Sequence, residues 1–287
     1  MDQGYNIGIL ENDFGAVNVD MMLLRELEGE QCELEMVSGG CDKDCHRRRF
    51  KTKLIAMGMC GYDRVLIEPS GIFDMDEFFD ALHEEPLDRW YQIGNVIAVV
   101  DAGLDEKMSE EADYILASEV ADAGCIVLSK TQEASEKYIE NTVKHLNRAL
   151  EAVHCKRKFG EDEIIWKDWE QFETEDFERI LNSGYIAEDY EKMSLDEKEV
   201  FKSLYFMDLE ISGEELRDAA QKIMQDPACG SVFRIKGFTQ EPDGNWTELN
   251  ATHHEITQCP IAEGQKVIIV IGEQPDEEMI KKYFGTD

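Results

Sequence analysis

Apolar residues in the first half of the chain come in short runs separated by longer amphipathic stretches. The runs YNIGIL, CELEMV, RVLIEP, NVIAVVDA and CIVLSK have the length of strands, and each is followed by apolar residues at helical spacing. Three runs contain the uninterrupted segments VLI, VIAVV and CIVL, which are typical of strands buried on both faces of a parallel sheet. The alternation predicts an open α/β fold with a mostly parallel sheet and flanking helices, the helices covering 19–30, 45–59, 75–83, 109–120 and 133–153.

The pattern changes twice further along the chain. Residues 161–202 are strongly acidic and keep a helical spacing of apolar residues, which predicts solvated helices that connect two domains. From residue 203 onward a strand, a helix, several strands and a last helix over 275–284 follow one another. The sequence therefore predicts an α/β domain at 1–160, an acidic helical connection at 161–202 and a small α+β domain at 203–287.

Charge and cysteine content narrow the classes of function. The 287 residues contain 29 Lys and Arg against 63 Asp and Glu, a net charge of −34. So acidic a chain argues against binding to nucleic acid or to an anionic membrane surface. It has no apolar run long enough for a membrane span and no basic N-terminal region of a signal peptide. The eight cysteines are scattered, which favours a reduced, cytoplasmic protein whose clustered cysteines are metal ligands.

Candidate ligand-binding residues lie where the predicted strands end. Ligands of open α/β sheets bind beyond the carboxyl ends of the strands, where 11–20, 70–71, Asp101 and 129–132 fall. In RVLIEPSG, Glu68 ends a buried strand and Gly71 follows three residues later. Such a pair can place a carboxylate near Mg²⁺ and a backbone N–H near a terminal phosphate. The alternative is an ordinary turn that caps a helix.

The segment CIVLSKTQ is similar to the NKxD motif that reads guanine. Ser129 stands for Asn, Lys130 for Lys and Gln132 for Asp. A neutral Gln accepts a hydrogen bond but loses the charge-assisted, bidentate contact of Asp with the base. The segment therefore predicts a purine site and leaves its specificity for guanine open.

The segment SGGCDKDCHRRR concentrates soft ligands at a loop-to-helix junction. Cys41, Cys45 and His46 together offer two thiolates and an imidazole, which suit Zn²⁺ and similar transition ions. The alternative is a pair of small buried thiols without a metal.

An ordered set of segments resembles the CobW-like metallochaperone GTPases, which are P-loop GTPases of the CobW/HypB/UreG type. In chain order these segments are ENDFGAVNVD, SGGCDKDC, RVLIEPSG, NVIAVVDA, CIVLSKTQ and, further downstream, VFRIKGF, NW and GQKVIIVIGE. The resemblance extends over essentially the whole chain. It implies GTP or GDP with Mg²⁺ as ligands, a transition metal such as Zn²⁺ or Co²⁺ as cargo, and delivery to a client metalloprotein or metallocofactor enzyme. A homodimer is left open.

The resemblance also assigns roles to residues. Glu68 and Gly71 would be catalytic and sense the γ-phosphate. Nucleotide binding would involve a switch loop ending at Asp20, together with the base-site segment Ser129, Lys130 and Gln132. The implied metal ligands are Asp13, Cys41, Cys45 and His46.

One feature of the family is absent from the sequence. Residues 1–287 contain no Gly-Lys pair and hence no G-x-x-x-x-G-K-[ST] phosphate loop. We therefore expect an N-terminally truncated family member that lacks the first β-loop-α unit and hydrolyses no GTP alone, or one that receives this unit from another chain. Two further alternatives are a non-hydrolysing metal-binding module with a degenerate nucleotide site and an unrelated acidic α/β protein with structural cysteines.

Overall fold

A computed structural model describes residues 4–13, 24–38, 43–69, 75–160, 163–193, 201–241, 243–261 and 264–285. The chain divides into two compact units, Met1–Ser194 and Leu195–Asp287. Each unit has its own hydrophobic core, as expected for independently packed parts of a chain of this length.

The first unit begins with a parallel sheet in the order β2-β1-β3, formed by β1 (Ile7–Asp13), β2 (Cys32–Ser38) and β3 (Arg64–Pro69). Helix α1 (Lys43–Cys60) packs closely on β1, where a Cβ at Gly8 would lie 2.7 Å from the Met57 side chain. Helices α2 (Met75–His83) and α3 (Leu87–Trp90) follow β3. The core between the sheet and these helices contains Leu10, Val37, Phe50, Leu54, Met57, Leu82 and Leu87.

A second parallel sheet in the order β4-β5-β6 completes the unit. Its strands are β4 (Ile97–Asp101), β5 (Cys125–Ser129) and β6 (Ile164–Ile165). Helix α4 (Glu110–Ala121) precedes β5, and α5 (Glu136–Ala152) follows it. The two helices bury one face of the sheet in a core that includes Ala98, Val100, Leu116, Val120, Ile126, Leu146 and Leu150.

The acidic stretch after β6 is only partly helical. It contains a 3-10 turn at Trp169–Gln171 and one short helix, α6 (Thr174–Leu181), and continues without regular structure as far as residue 193. The side chains of Trp166, Trp169 and Phe177 are exposed.

In its described residues, the second unit is an antiparallel sheet with two α-helices. The strands β7 (Phe201–Met207), β8 (Ser231–Gln240), β9 (Trp246–Thr252), β10 (Ile256–Ile261) and β11 (Val267–Glu273) lie in the order β10-β9-β8-β11-β7. Helix α7 (Gly213–Gln225) begins at a capping box, in which Ser212 accepts from the Glu215 N–H and the Glu215 carboxylate accepts from the Ser212 N–H. Helix α8 (Glu277–Tyr283) ends the described chain.

The predicted fold class is confirmed, because parallel strands alternate with helices in the first unit and an α+β arrangement follows. Of the helix predicted at 19–30, residues 19–23 lie outside the described residues, Leu24 is helical and Arg25–Leu27 form a 3-10 turn, so the helical part ends at residue 27, three residues earlier than predicted. Gly29 and Cys32 then form an antiparallel β-bridge, from which the backbone continues directly into β2.

Two strands were not predicted. β6 has two residues, too few to leave a periodic pattern, and it places part of the predicted acidic connection inside the second parallel sheet. β10 is an edge strand that contains Pro260, a residue that edges tolerate because its missing N–H can face solvent. Within the described ranges, no helix combines the length and apolar character needed to cross a bilayer.

Candidate functional site

The ends of β4 and β5 bring part of the predicted nucleotide site together. Asp101 and Ser129 are opposite each other in the parallel register. The Lys130 ammonium lies 2.7 Å from Oδ2 of Asp101, while Oδ1 of the same carboxylate accepts from the Gly103 N–H at 2.8 Å. The Ser129 hydroxyl donates to the Val100 carbonyl at 3.4 Å. Asp101 therefore positions both the lysine and the loop that follows β4.

The backbone at Lys130 is unusual. Its φ is +57°, in the left-handed region that residues with a Cβ rarely adopt. The Lys130 carbonyl accepts from the Glu133 N–H at 3.1 Å, which closes a turn leading toward α5. Gln132 lies in this turn with an exposed side chain. Ser129, Lys130 and Gln132 thus share one strand end, where a flat ring could meet the lysine stem and an amide.

Helix α5 holds the loop after β4 in place. The Thr142 hydroxyl donates to the Ala102 carbonyl at 2.8 Å. The buried His145 has Nδ1 2.7 Å from the Asp105 carbonyl oxygen and Nε2 2.6 Å from Oδ1 of Asp113. Because a carbonyl oxygen only accepts, Nδ1 carries a proton in this arrangement. These contacts hold the loop after β4 against α5.

Two acidic residues are also register neighbours near the ends of β1 and β3. Glu11 is buried, and it lies opposite Glu68 of β3 and Met36 of β2 in the parallel register. Glu68 is exposed. Oxygen ligands of this kind suit a hard cation such as Mg²⁺. Gly71 and Asp20, the other residues predicted on this side, lie outside the described residues.

The predicted metal site is described only in part. Cys45 is half-buried in the first turn of α1. Of Asp13 and His46 only the backbone is described, at the end of β1 and in α1, and Cys41 lies outside the described residues. Among the side chains that are described, no three His, Cys, Asp or Glu lie close enough to hold a metal ion. The metal ligand set therefore stays a prediction.

Several other cysteines are poorly suited to metal binding. Cys32, Cys125 and Cys229 are buried, and burial raises the pKa of each thiol, to about 11 for Cys229. Because metals bind the thiolate, a raised pKa works against these sites. Cys60 and Cys259 are exposed.

Two residues of the strand-end sites were not assigned a role from the sequence. Asp101 follows a predicted strand, but only the structure pairs it with Lys130, 29 positions away. Glu11 falls in the acidic segment after the first predicted strand, but its burial beside Glu68 depends on the pairing of β1 with β3. The signal available for both was the same: an acidic residue directly after a run of apolar strand residues.

Comparison with known proteins identifies a family, a related chaperone and two similar solved structures. The family model for the CobW/HypB/UreG nucleotide-binding domain matches residues 1–159. The zinc chaperone YjiA of Escherichia coli (strain K12) is 30% identical over 141 residues, which are 46% of this chain and 43% of YjiA. The chain therefore matches less than half the length of that relative.

Solved structures of YjiA align over nearly the whole chain. The Zn(II)-bound YjiA GTPase from E. coli aligns with 97% of this chain and 97% of its own, at 18% identity and a TM-score of 0.37. A Zn(II)-bound triple mutant of YjiA GTPase aligns with 99% of this chain and 91% of its own, at 19% identity and a TM-score of 0.39.

Proposed function

We propose that this chain, which belongs to the CobW/HypB/UreG family of nucleotide-binding proteins, is a nucleotide-responsive metal chaperone. Its cargo is a transition metal, Zn²⁺ or Co²⁺, and its client is a metalloprotein or metallocofactor enzyme in the cytoplasm. Domain roles follow the same proposal: residues 1–160 bind nucleotide and metal, 161–202 connect, and 203–287 contact the client. The name of the YjiA relative, a zinc chaperone, supports zinc as cargo.

One observation carries the nucleotide part of the proposal. Asp101, Ser129 and Lys130 meet at the ends of two adjacent parallel strands, with the lysine ammonium held at 2.7 Å by the carboxylate. Adjacent strand ends in open α/β sheets are where such ligands bind. The purine base would pack on the Lys130 stem, and Gln132 would contact its polar edge.

Coupling between nucleotide and metal follows from chain order. Segments 13–20 and 68–71 flank the segment of Cys41, Cys45 and His46 in sequence. In the proposal, Glu68 and Gly71 face the terminal phosphate, while Asp13 joins the thiols. A change in the phosphate would then shift both segments, and with segment 13–20 the proposed metal ligand Asp13, which is a two-state switch. Coupling of this kind is reciprocal, so metal would also change nucleotide affinity.

Cobalt titration of paired cysteine variants tests the metal site. We expect Co²⁺ to give thiolate charge-transfer absorption with the full chain. Cys45→Ser should weaken Co²⁺ binding by more than roughly tenfold. Loss of a group that only orients a ligand already lowers metal affinity by roughly tenfold or more, and loss of the ligand itself should lower it at least as much. Cys60→Ser changes an exposed thiol at the other end of α1 and should leave the titration unchanged. Equal titrations for the two variants would remove Cys45 from the site.

A second titration separates the nucleotide site from the metal site. Asp101→Asn and Lys130→Ala should weaken binding of a fluorescent GDP analogue and leave the Co²⁺ spectrum of the chain intact. Metal affinity that responds to GTP in the unchanged chain, and not in these variants, would support the switch. Loss of the metal spectrum in both variants would instead point to general misfolding.

The second candidate is a metal-holding module that does not hydrolyse nucleotide. It is favoured by the lack of a Gly-Lys pair in residues 1–287, since that lysine and its glycine-rich loop normally cradle the phosphates. GTP turnover by the purified chain, abolished by Glu68→Gln, would argue against this candidate.

A further inference from the structure

Basic residues are concentrated on one helix of this acidic chain. The segment HRRRFKTK, residues 46–53, contains five Lys and Arg and no Asp or Glu. The rest of the chain therefore has 29 − 5 = 24 Lys and Arg against all 63 Asp and Glu. The segment lies in α1, where Arg48 and Arg49 are exposed. Helix α1 thus carries local positive charge on a molecule whose net charge is −34.

The cations on the sides of α1 are paired within the chain. Nη2 of Arg47 lies 2.8 Å from Oε1 of Glu84, and the Lys51 ammonium donates to the other oxygen of the same carboxylate. The Lys53 ammonium donates to Oε2 of Glu35 at 2.6 Å. Two carboxylates thus offset three of the five cations, along the sides of the helix.

A stripe of side chains follows the exposed face of α1. Cys45, Arg48, Thr52 and Met59 recur at helical spacing, so their side chains lie on one side of the helix. Cys45 is half-buried and the other three are exposed, as is Arg49 beside them. We call these five residues the α1 stripe. From the candidate metal ligand Cys45 the stripe leads through a basic part to an apolar end.

The apolar end of the stripe has a second large side chain next to it. Met59 is 76% exposed and Trp90 is 48% exposed. A Cβ at Gly58 would lie 2.9 Å from the Trp90 ring, so the indole lies against α1 at the residue before Met59. A methionine adapts its shape to a partner, and burying both side chains would release their apolar surface from water. Met59 and Trp90 together therefore offer an apolar anchor.

We propose that the α1 stripe and Trp90 bind an acidic segment of the client metalloprotein. This contact rests on the proposed function and adds to the one proposed for residues 203–287. Asp or Glu side chains of the segment pair with Arg48 and Arg49, and an apolar side chain about 15 Å further along packs on Met59 and Trp90. A client held in this way has its own metal-binding groups beside Cys45.

Charge complementarity selects an acidic occupant. A net charge of −34 repels an acidic segment from most of the surface, so the attraction is confined to α1 and fixes where the segment docks. Each guanidinium carries five N–H donors. Arg48 and Arg49 can therefore each hold a carboxylate in addition to the contacts that they make within the chain. A basic segment would be attracted to many other places on this molecule.

Selection from a displayed peptide library tests the stripe. The library holds helical peptides of about 16 residues, long enough to span the roughly 15 Å from the arginines to Met59, with random residues on one face. The full chain is the target, and the double variant Arg48→Glu/Arg49→Glu removes peptides that bind elsewhere. Neither nucleotide nor metal is added. We expect the remaining peptides to carry Asp or Glu near one end and Leu, Met or Phe about three turns away.

Affinities of a selected peptide for matched variants follow from the same contacts. Arg48→Glu/Arg49→Glu should weaken binding at least about tenfold, because attraction becomes repulsion at two positions. Lys137→Glu/Lys144→Glu on α5 makes the same change in net charge and should leave binding unchanged. Met59→Ser should weaken binding about fivefold through lost apolar contact, whereas Tyr138→Ser, at another exposed position on α5, should not.

A milder variant keeps the test independent of folding. Arg48→Gln/Arg49→Gln removes both charges without reversing them, and Gln is nearly as good a helix former as Arg. It should unfold at the same urea concentration as the parent chain and weaken the peptide about fivefold. Equal affinity of this variant and the parent chain, basic peptides after the selection, or no remaining peptide would overturn the proposal.

Oxidation of Met59 locates the contact. Dilute hydrogen peroxide converts the thioether to a sulfoxide and is itself reduced to water, and mass spectrometry measures the rate. A selected peptide should slow the oxidation of Met59 at least about threefold and leave that of Met207, which is also exposed, unchanged. An unchanged rate at Met59 would contradict the proposal. Protection that grows with protein concentration, without a peptide, would assign the stripe to a second copy of the chain instead.

The peptide and cobalt experiments fail separately. Peptide binding at the α1 stripe by a chain that gives no Co²⁺ spectrum would remove the metal role and leave an acidic-segment site. A Co²⁺ spectrum that depends on Cys45, in a chain whose affinity for acidic peptides does not depend on Arg48 and Arg49, would leave the metal role and remove the docking site.

Discussion

Lys130 combines a strained backbone with an ion pair. Its φ of +57° puts the Cβ too close to the following carbonyl, which costs roughly 1–2 kcal/mol for residues other than glycine. Its pair with Asp101 is partly open to water, with side-chain exposures of 41% and 35%. Exposed pairs contribute roughly 0–1 kcal/mol, so the pair does not by itself offset the strain. A lysine retained in this conformation is consistent with the proposed role in binding a base.

Glycine and alanine at position 130 separate strain from charge. Both Lys130→Gly and Lys130→Ala remove the ion pair, but only glycine relieves the left-handed strain. Allowing for the greater freedom of glycine in the unfolded chain, we expect the Gly variant to be more stable by roughly 0.5 kcal/mol. Urea unfolding of the full chain measures the difference.

The control for this comparison is Lys144, which pairs with Glu140 on the surface of α5. There the backbone is helical, and Gly should be less stable than Ala by roughly 1 kcal/mol. The same order of stability at both positions would contradict the strain at Lys130.

At the scale of elements, a side-chain hydrogen bond ties α8 to the residue that follows α7. The Tyr283 hydroxyl in α8 donates to Oδ2 of Asp226 at 2.6 Å. Oδ1 of Asp226 also accepts from the Ala228 N–H at 2.9 Å. The Tyr283 hydrogen bond, and after it the Ala228 N–H, lower the pKa of Asp226, because both stabilise the ionised carboxylate.

The Tyr283 contact predicts a pH dependence of stability. A lowered pKa means that Asp226 stabilises the folded state above its unfolded pKa of about 3.9, and that this contribution is lost as pH falls through the folded pKa. Tyr283→Phe should therefore lower the thermal midpoint more at pH 6 than at pH 3. Tyr138→Phe, at an exposed position on α5, should show no such trend. A deficit for Tyr283→Phe that stays constant or grows toward pH 3 would exclude this contribution.

At the scale of the whole molecule, charge is the dominant feature. The net charge of −34 is spread over a chain of 287 residues, so folding brings many like charges together. Self-repulsion of this kind destabilises the compact state. Salt screens it, since the Debye length falls to about 10 Å at 0.1 M ionic strength.

We expect added NaCl to stabilise the protein at neutral pH. Between low salt and physiological ionic strength, the midpoint of the first thermal transition should rise by a few degrees, on the order of 1 kcal/mol. At a pH near the isoelectric point of about 4.4 the same addition should have much less effect, because the net charge is near zero. A midpoint that falls with salt at pH 7 would show that specific ion pairs outweigh the repulsion.

Much of the first unit could be predicted because its signals are local. Continuous apolar runs such as VIAVV and CIVL indicated buried parallel strands, and the helices predicted at 45–59, 75–83, 109–120 and 133–153 begin and end within a few residues of α1, α2, α4 and α5. The motif order also led to the correct family. Sequence patterns did not predict a strand whose formation depends on its pairing partner. Ile164 and Ile165 form a strand only because β5 lies beside them.

The sequence alone determined the fold class, the family and the candidate residues, because these depend on residue type and spacing along the chain. Which candidates meet was decided by the tertiary structure. Parallel pairing placed Asp101 opposite Ser129 and Glu11 opposite Glu68. The tertiary structure also buried the thiols of Cys32, Cys125 and Cys229 and left Cys45 only half-buried. The exposure of Leu66 and Val99 was likewise decided by the tertiary structure, since it depends on which neighbouring strands and helices cover them.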